Sequence, residues 1–144
     1  MLKRFQLSTL LLICLSALAM ALATPTAQAE PLANTTSCKI AYTVNADFKT
    51  GFLVSIFITN TGSTPINGWT LQFTFPGNQQ ITSFFNGSFT QAGQQVAVVN
   101  RGYNGTIAPG QTLNGPYPGF VASYSGINKN PTSFTINGQQ CSVG

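Results

Sequence analysis

The sequence predicts an all-β domain built as an antiparallel two-sheet sandwich. Two observations carry that expectation. Apolar residues recur with period two along several short segments, and no stretch of helical period competes with them. Turn-forming pairs such as Asn67-Gly68, Asn86-Gly87, Asn104-Gly105, Pro109-Gly110 and Asn137-Gly138 separate those segments. Many short, half-buried strands without a helix bury their apolar faces by laying one sheet on another.

The first strand is expected where Ile40, Tyr42 and Val44 alternate with Lys39, Ala41 and Thr43. The second sets Phe52, Val54, Ile56 and Ile58 against Leu53, Ser55, Phe57 and Thr59. The clearest run opposes Trp69, Leu71, Phe73 and Phe75 to Thr70, Gln72 and Thr74, which assigns Trp69 to the structural core together with Phe73, Phe75, Phe52 and Tyr42. Shorter strands are expected around 80–85, 95–100, 119–123 and 133–136, and Pro109, Pro116 and Pro118 make the approach to Gly119 a loop or an edge.

The ends place this domain in an exported chain. Met1-Leu2-Lys3-Arg4, an apolar run from Leu7 to Ala23, and the exit Ala27-Gln28-Ala29 have the order of a secretory signal peptide covering residues 1–29. Residues 30–37 form a short polar lead-in, and residues 38–144 the sandwich. Cys14 leaves with the signal segment, so Cys38 and Cys141 remain as a pair and are expected to form one disulfide in an oxidising, extracellular compartment. After cleavage the chain has no membrane segment and is expected to be a monomer.

The composition of the domain excludes most chemistry. There is no histidine, and Asp47 is the one acidic residue between the two cysteines. General acid–base catalysis needs a positioned group that titrates near working pH, and most glycosidases need two carboxylates, so no catalytic residue is assigned. The same poverty argues against a metal site or a cofactor. Lys39, Lys49, Arg101 and Lys129 are scattered, against Glu30 and Asp47, and form no stripe for nucleic acid.

Aromatic residues remain to explain a function. Phe48 and Tyr103 sit beside turn residues, and Phe84 and Phe85 are adjacent, so in a strand they face opposite sides and one is exposed. Exposed rings near one another ask for a partner, and the flat face of a pyranose with hydroxyls around its rim matches rings flanked by amides. The alternative is a structural or adhesive protein whose aromatic patch or edge strand binds another protein or a cell-wall matrix. Asn-x-Ser/Thr triplets at Asn34, Asn86 and Asn104 are acceptors in a host that glycosylates.

From Cys38 to Cys141 the chain resembles a family 2 carbohydrate-binding module, the bacterial type II cellulose-binding domain. The matching stretches are Thr50-Gly51-Phe52, Asn60-Thr61-Gly62, Gly68-Trp69-Thr70-Leu71, Phe73 through Gly77 with Gln79-Gln80-Ile81-Thr82, Tyr103-Asn104-Gly105, Ile107-Ala108-Pro109-Gly110, Gly119-Phe120, and Phe134 through Gly138. The resemblance implies a sandwich of about nine strands, of immunoglobulin-like jelly-roll type, with a terminal disulfide. It also implies a flat face on which three aromatic residues, usually tryptophans, bind insoluble β-1,4-linked polysaccharide, cellulose above all and chitin as a second target. Those positions fall on Phe48, Phe85 and Tyr103, with Asn45 as a polar neighbour and Trp69 as the buried tryptophan. None of the three platform positions carries tryptophan here. Gly51 stands where the cellulose-binding branch has glycine and the xylan-binding branch tends to have arginine.

Overall fold

The computed structural model describes residues 37–144. The expected signal peptide, residues 1–29, and residues 30–36 of the lead-in lie outside the described residues.

Strands form where the alternation places them. β1 (Cys38–Asp47) and β2 (Gly51–Asn60) make a long hairpin, and β4 (Thr70–Thr74), β5 (Gln80–Phe85), β7 (Gln95–Val99), β9 (Gly119–Ser123) and β10 (Phe134–Ile136) follow the expected segments. Five further segments complete the set: β3 (Ile66–Asn67), β6 (Ser88–Ala92), β8 (Thr106–Ile107), β11 (Gln139–Gln140) and β12 (Ser142–Val143). Four of these five are only two residues long, too short for any periodic signal. β6 carries no periodic signal in the sequence because Phe89 is its only large apolar residue, and it forms an edge.

One sheet has the order β12-β1-β2-β9-β5 and the other β11-β10-β4-β7-β6, while β3 and β8 pair separately. The pairing is antiparallel throughout except that β12 runs parallel to β1, with Lys39 opposite Ser142. The disulfide lies beside the start of this pair. Cys141 is bonded to Cys38 with Cα atoms 4.8 Å apart, and the chain that leaves it continues alongside β1. This cross-link spans a sequence separation of 103, for which loop-closure estimates give about 4 to 5 kcal/mol as an upper figure.

The two sheets meet through rings. Phe120 of β9 lies 6.2 Å from Phe73 of β4, and Tyr42 of β1 lies 5.9 Å from Phe134 of β10, so both contacts bridge the layers. Within the second layer Phe73 and Phe75 meet edge to face at 5.2 Å. Each such pair contributes roughly 0.5 to 1.5 kcal/mol beyond its buried area. Trp69, Phe52, Phe75, Phe120 and Phe134 are fully buried, and Tyr42 packs at the margin, where burial pushes its hydroxyl pKa well above the ordinary value. Trp69 satisfies its one polar atom by donating Nε1–H to the Asn104 carbonyl at 2.8 Å. No helix occurs among the described residues.

Candidate binding face

The alternation that fills the core leaves a second set of residues on the outer face of the first sheet. Thr43, Ser55, Gly119 and Phe85 stand in one row across β1, β2, β9 and β5, because each is the direct partner of the next. Phe85 is half-buried, and its ring lies over the bare Cα of Gly119: a methyl group there would come within 2.3 Å of Phe85 Cε2 and 2.6 Å of the Val54 carbonyl. Gly119 is thus the floor on which Phe85 rests. Phe84 turns the other way and stacks on Phe120 at 5.9 Å and on Phe89 at 5.4 Å. Inward packing of Phe84 decides which of the two adjacent rings faces out.

Asn45 reaches the same row from β1. A register shift between Val44 and Ala46 makes it the extra residue of a bulge, and its Nδ2 donates to Ser55 Oγ at 2.6 Å. The exposed amide therefore lies on the side of the face opposite Phe85.

Phe48 occupies the turn between β1 and β2, and 64% of its surface is exposed. The turn needs a left-handed residue, Lys49 at φ 72°, and closes with Phe48 N–H on the Gly51 carbonyl at 2.7 Å. Asp47 anchors it. Its Oδ1 accepts from Lys49 N–H at 2.9 Å and from the Tyr124 hydroxyl at 2.6 Å, and its Oδ2 accepts from Asn128 Nδ2 at 3.2 Å. These donors favour the carboxylate, Tyr124 most, and hold its pKa below the ordinary value; the same contact raises that of Tyr124. The only acid of the domain serves as a clamp on the loop that carries Phe48.

Tyr103, also 64% exposed, is held by uncharged groups instead. Asn104 is buried beneath it. Its Oδ1 accepts from Arg101 N–H at 2.8 Å, and its Nδ2 donates to the carbonyls of Asn86 at 2.8 Å and Pro116 at 3.2 Å. Asn86, at φ 60°, then accepts from the Tyr103 hydroxyl at 3.1 Å and donates to the Tyr117 carbonyl at 2.8 Å. Three loops are tied into one rim, and the Asn104 amide has no room for a glycan. The scaffold roles of Asn86, Asn104 and Asp47 were missed in the sequence, where Asn86 and Asn104 stand only as residues of glycan-acceptor triplets and Asp47 only as the one acid of the domain.

Strand geometry sets the span of the face. Gly51 and Ser55 are four residues apart on β2, roughly 13 Å, so Phe48 lies at one end and Phe85 with Tyr103 at the other. Gly51 leaves little room above the neighbouring strand, since a methyl there would approach the Ala122 carbonyl to 3.1 Å. Asp47 and Lys49 border one end; between the rings the face carries Thr43, Ser55, Ser83, Leu53 and Val121 and no charge. No group of three or more potential metal ligands occurs among the described residues.

A sandwich with aromatic rings along one sheet face, no charge between them, and its one acid occupied in holding a turn has the character of a binding module. The match to the cellulose-binding domain family runs over residues 38–141, and the chain belongs to that family of carbohydrate-binding modules. It is 44% identical over 105 residues to Exoglucanase B of Cellulomonas fimi, covering 73% of this chain but 9% of that enzyme, so it spans a small part of the relative's length. Among solved structures, the chitin-binding domain of Chi18aC from Streptomyces coelicolor matches with TM-score 0.57 and 32% identity, over 73% of this chain and 94% of that one. The cellulose-binding family 2 domain of ScLPMO10C matches with TM-score 0.54 and 29% identity, over 67% of this chain and 93% of that one.

Proposed function

We propose that the chain is a secreted, non-catalytic module that adsorbs as a monomer to insoluble β-1,4-linked polysaccharide, with cellulose the first target and chitin the second. Phe48, Phe85 and Tyr103 act as the sugar platforms and Asn45 as a rim donor. The observation that carries the reading is that these three rings stand exposed or half-exposed on or at the ends of one sheet face, with no charge between them, each held by its own scaffold: Asp47 for Phe48, Gly119 for Phe85, and Asn86 with Asn104 for Tyr103. A polymer surface is flat, so it needs a row of rings and no cleft. The relatives support the polymer class: one matched domain is a cellulose-binding domain and another a chitin-binding domain. Export is supported by the signal-type leader and the disulfide.

Stacking of a flat ligand on an aromatic side chain is worth roughly 1 to 3 kcal/mol per ring in nucleic-acid systems, and the same order applies here. The Phe85→Ala/Tyr103→Ala double variant should lose about 30-fold or more in affinity. Depletion from solution by crystalline cellulose, chitin and insoluble xylan measures this, with the melting temperature as control. Retention of the double variant at wild-type strength overturns the platform assignment. Failure of the wild type on every polymer would give first place to protein adhesion.

A further inference from the structure

Phe57 and Tyr117 belong to no platform assigned so far, yet they lie on the same sheet face. Phe57 points outward on β2, between the fully buried Ile56 and Ile58. The β2–β9 pairing is extended by one more bond, from Ile56 N–H to the Pro118 carbonyl at 2.9 Å, which carries the register beyond Ser55 and Gly119 and sets Tyr117 opposite Phe57. Their ring centroids are 4.6 Å apart with planes at 45°. On the other side Phe57 is opposed by Ala41, too small to cover it, and Tyr117 remains 39% exposed.

The pair is continuous with the proposed platform row and yet displaced from it. Asn86 joins the two, accepting from the Tyr103 hydroxyl at 3.1 Å and donating to the Tyr117 carbonyl at 2.8 Å. Phe85 is on β5, the outermost strand, whereas Tyr117 and Phe57 continue the lines of β9 and β2, one and two strands inward. Neighbouring strands are about 4.8 Å apart, so the displacement across the sheet is roughly 5 to 10 Å. A single sugar chain lying over Phe48, Phe85 and Tyr103 runs beside this pair, not over it. The nearest further flat, uncharged face available to Tyr117 is the next chain of the same polymer sheet.

We infer that Tyr117, seated on Phe57, is a second-row sugar platform that contacts the neighbouring chain of a polysaccharide surface. This rests on the carbohydrate-binding reading above and adds to it one further contact residue, Tyr117, for the chain alongside.

The test compares the wild type with Tyr117→Ala and Tyr117→Phe. Crystalline cellulose and chitin serve as surfaces, and cellohexaose and chitohexaose, followed by NMR, as single chains. Tyr117→Ala should weaken adsorption to the surface about fivefold to tenfold and leave the hexasaccharide titration unchanged, with the melting temperature held; Tyr117→Phe should adsorb like the wild type. Unchanged adsorption of Tyr117→Ala overturns the inference, and so does equal weakening on surface and hexasaccharide, which would place Tyr117 in the first row. A wild type that adsorbs to neither polymer removes the functional reading and the inference together, a result read without any variant.

Discussion

The two outer faces of this sandwich are built on sheets of equal strand number and differ in what they present. The face of the β12-β1-β2-β9-β5 sheet carries Phe85, Phe57 and Tyr117, with Phe48 and Tyr103 in loops at its ends. The face of the β11-β10-β4-β7-β6 sheet carries Gln72, Thr74, Thr90, Ala92, Gln95, Ala97 and Thr135, and forms an open groove of about 490 Å³. This concavity is therefore on the face without exposed rings. A polar groove competes poorly with water for a sugar's hydroxyls, because a net hydrogen bond contributes only about 1 kcal/mol, whereas a flat ring removes apolar C–H surface from water. Concavity is the wrong guide where the proposed ligand is itself a flat solid.

Three outcomes would break or sharpen that contrast. The largest is expected at Gly119, where the floor under Phe85 can be raised while all three platform residues keep their identity. Gly119→Ala must displace both Phe85 and the Val54 carbonyl, so stability should fall by about 1 to 3 kcal/mol and affinity for crystalline cellulose by about tenfold. Chemical denaturation and adsorption isotherms read the two effects, and a variant that adsorbs normally would show that the Phe85 orientation is immaterial.

A smaller effect is expected from pH, and it separates the two ends of the aromatic face. The Asp47 pKa is lowered in the folded state, so its contribution is present above the ordinary carboxylate value of 3.8 and is lost as pH falls through the depressed folded value. The partners that face it are Tyr124, Asn128 and the Lys49 amide, and Lys49 carries the adjacent positive charge. Adsorption should weaken a few-fold as pH falls below the ordinary carboxylate value and through the depressed folded one, because the Phe48 loop loosens, while the Tyr103 end, held by amides, stays unchanged. Asp47→Asn should bind a few-fold more weakly at pH 7 and lose this acid limb. An Asp47→Asn variant that adsorbs like the wild type at pH 7 would sink the clamp.

The smallest effect is expected on the other sheet. Thr74→Ala combined with Gln95→Ala enlarges the groove and removes two polar side chains opposite one another on β4 and β7. Adsorption should stay within twofold of the wild type in depletion assays, and a larger loss would mean that the groove also holds sugar.

Much of the fold was legible because local alternation already states it. The phase of β2 separates Phe52, Val54, Ile56 and Ile58 from Leu53, Ser55 and Phe57, and the structure keeps that separation. β6, β3 and β8 were not legible, since two-residue pairs and a Thr/Gln-rich edge carry no periodic signal. For the site, exposed Phe48 and Tyr103 could be picked out beside their turns, but Tyr117 could not, because only the register extended by Pro118 places it opposite Phe57.

By itself the sequence determined the chemistry that is possible here: an apolar core of period-two strands, one pair of cysteines for one cross-link, and a domain with a single acid and no histidine. Those properties depend on residue type and local spacing, which a linear reading contains. Tertiary structure decided everything that depends on distant residues meeting. It turned Phe85 outward by giving Phe84 to Phe120 and Phe89, joined Asp47 to Tyr124 across 77 positions, and made Asn86 the tie between Tyr103 and Tyr117. Alternation fixes which residues share a face of a strand, but only the pairing of that strand with its neighbours decides what the face lies beside.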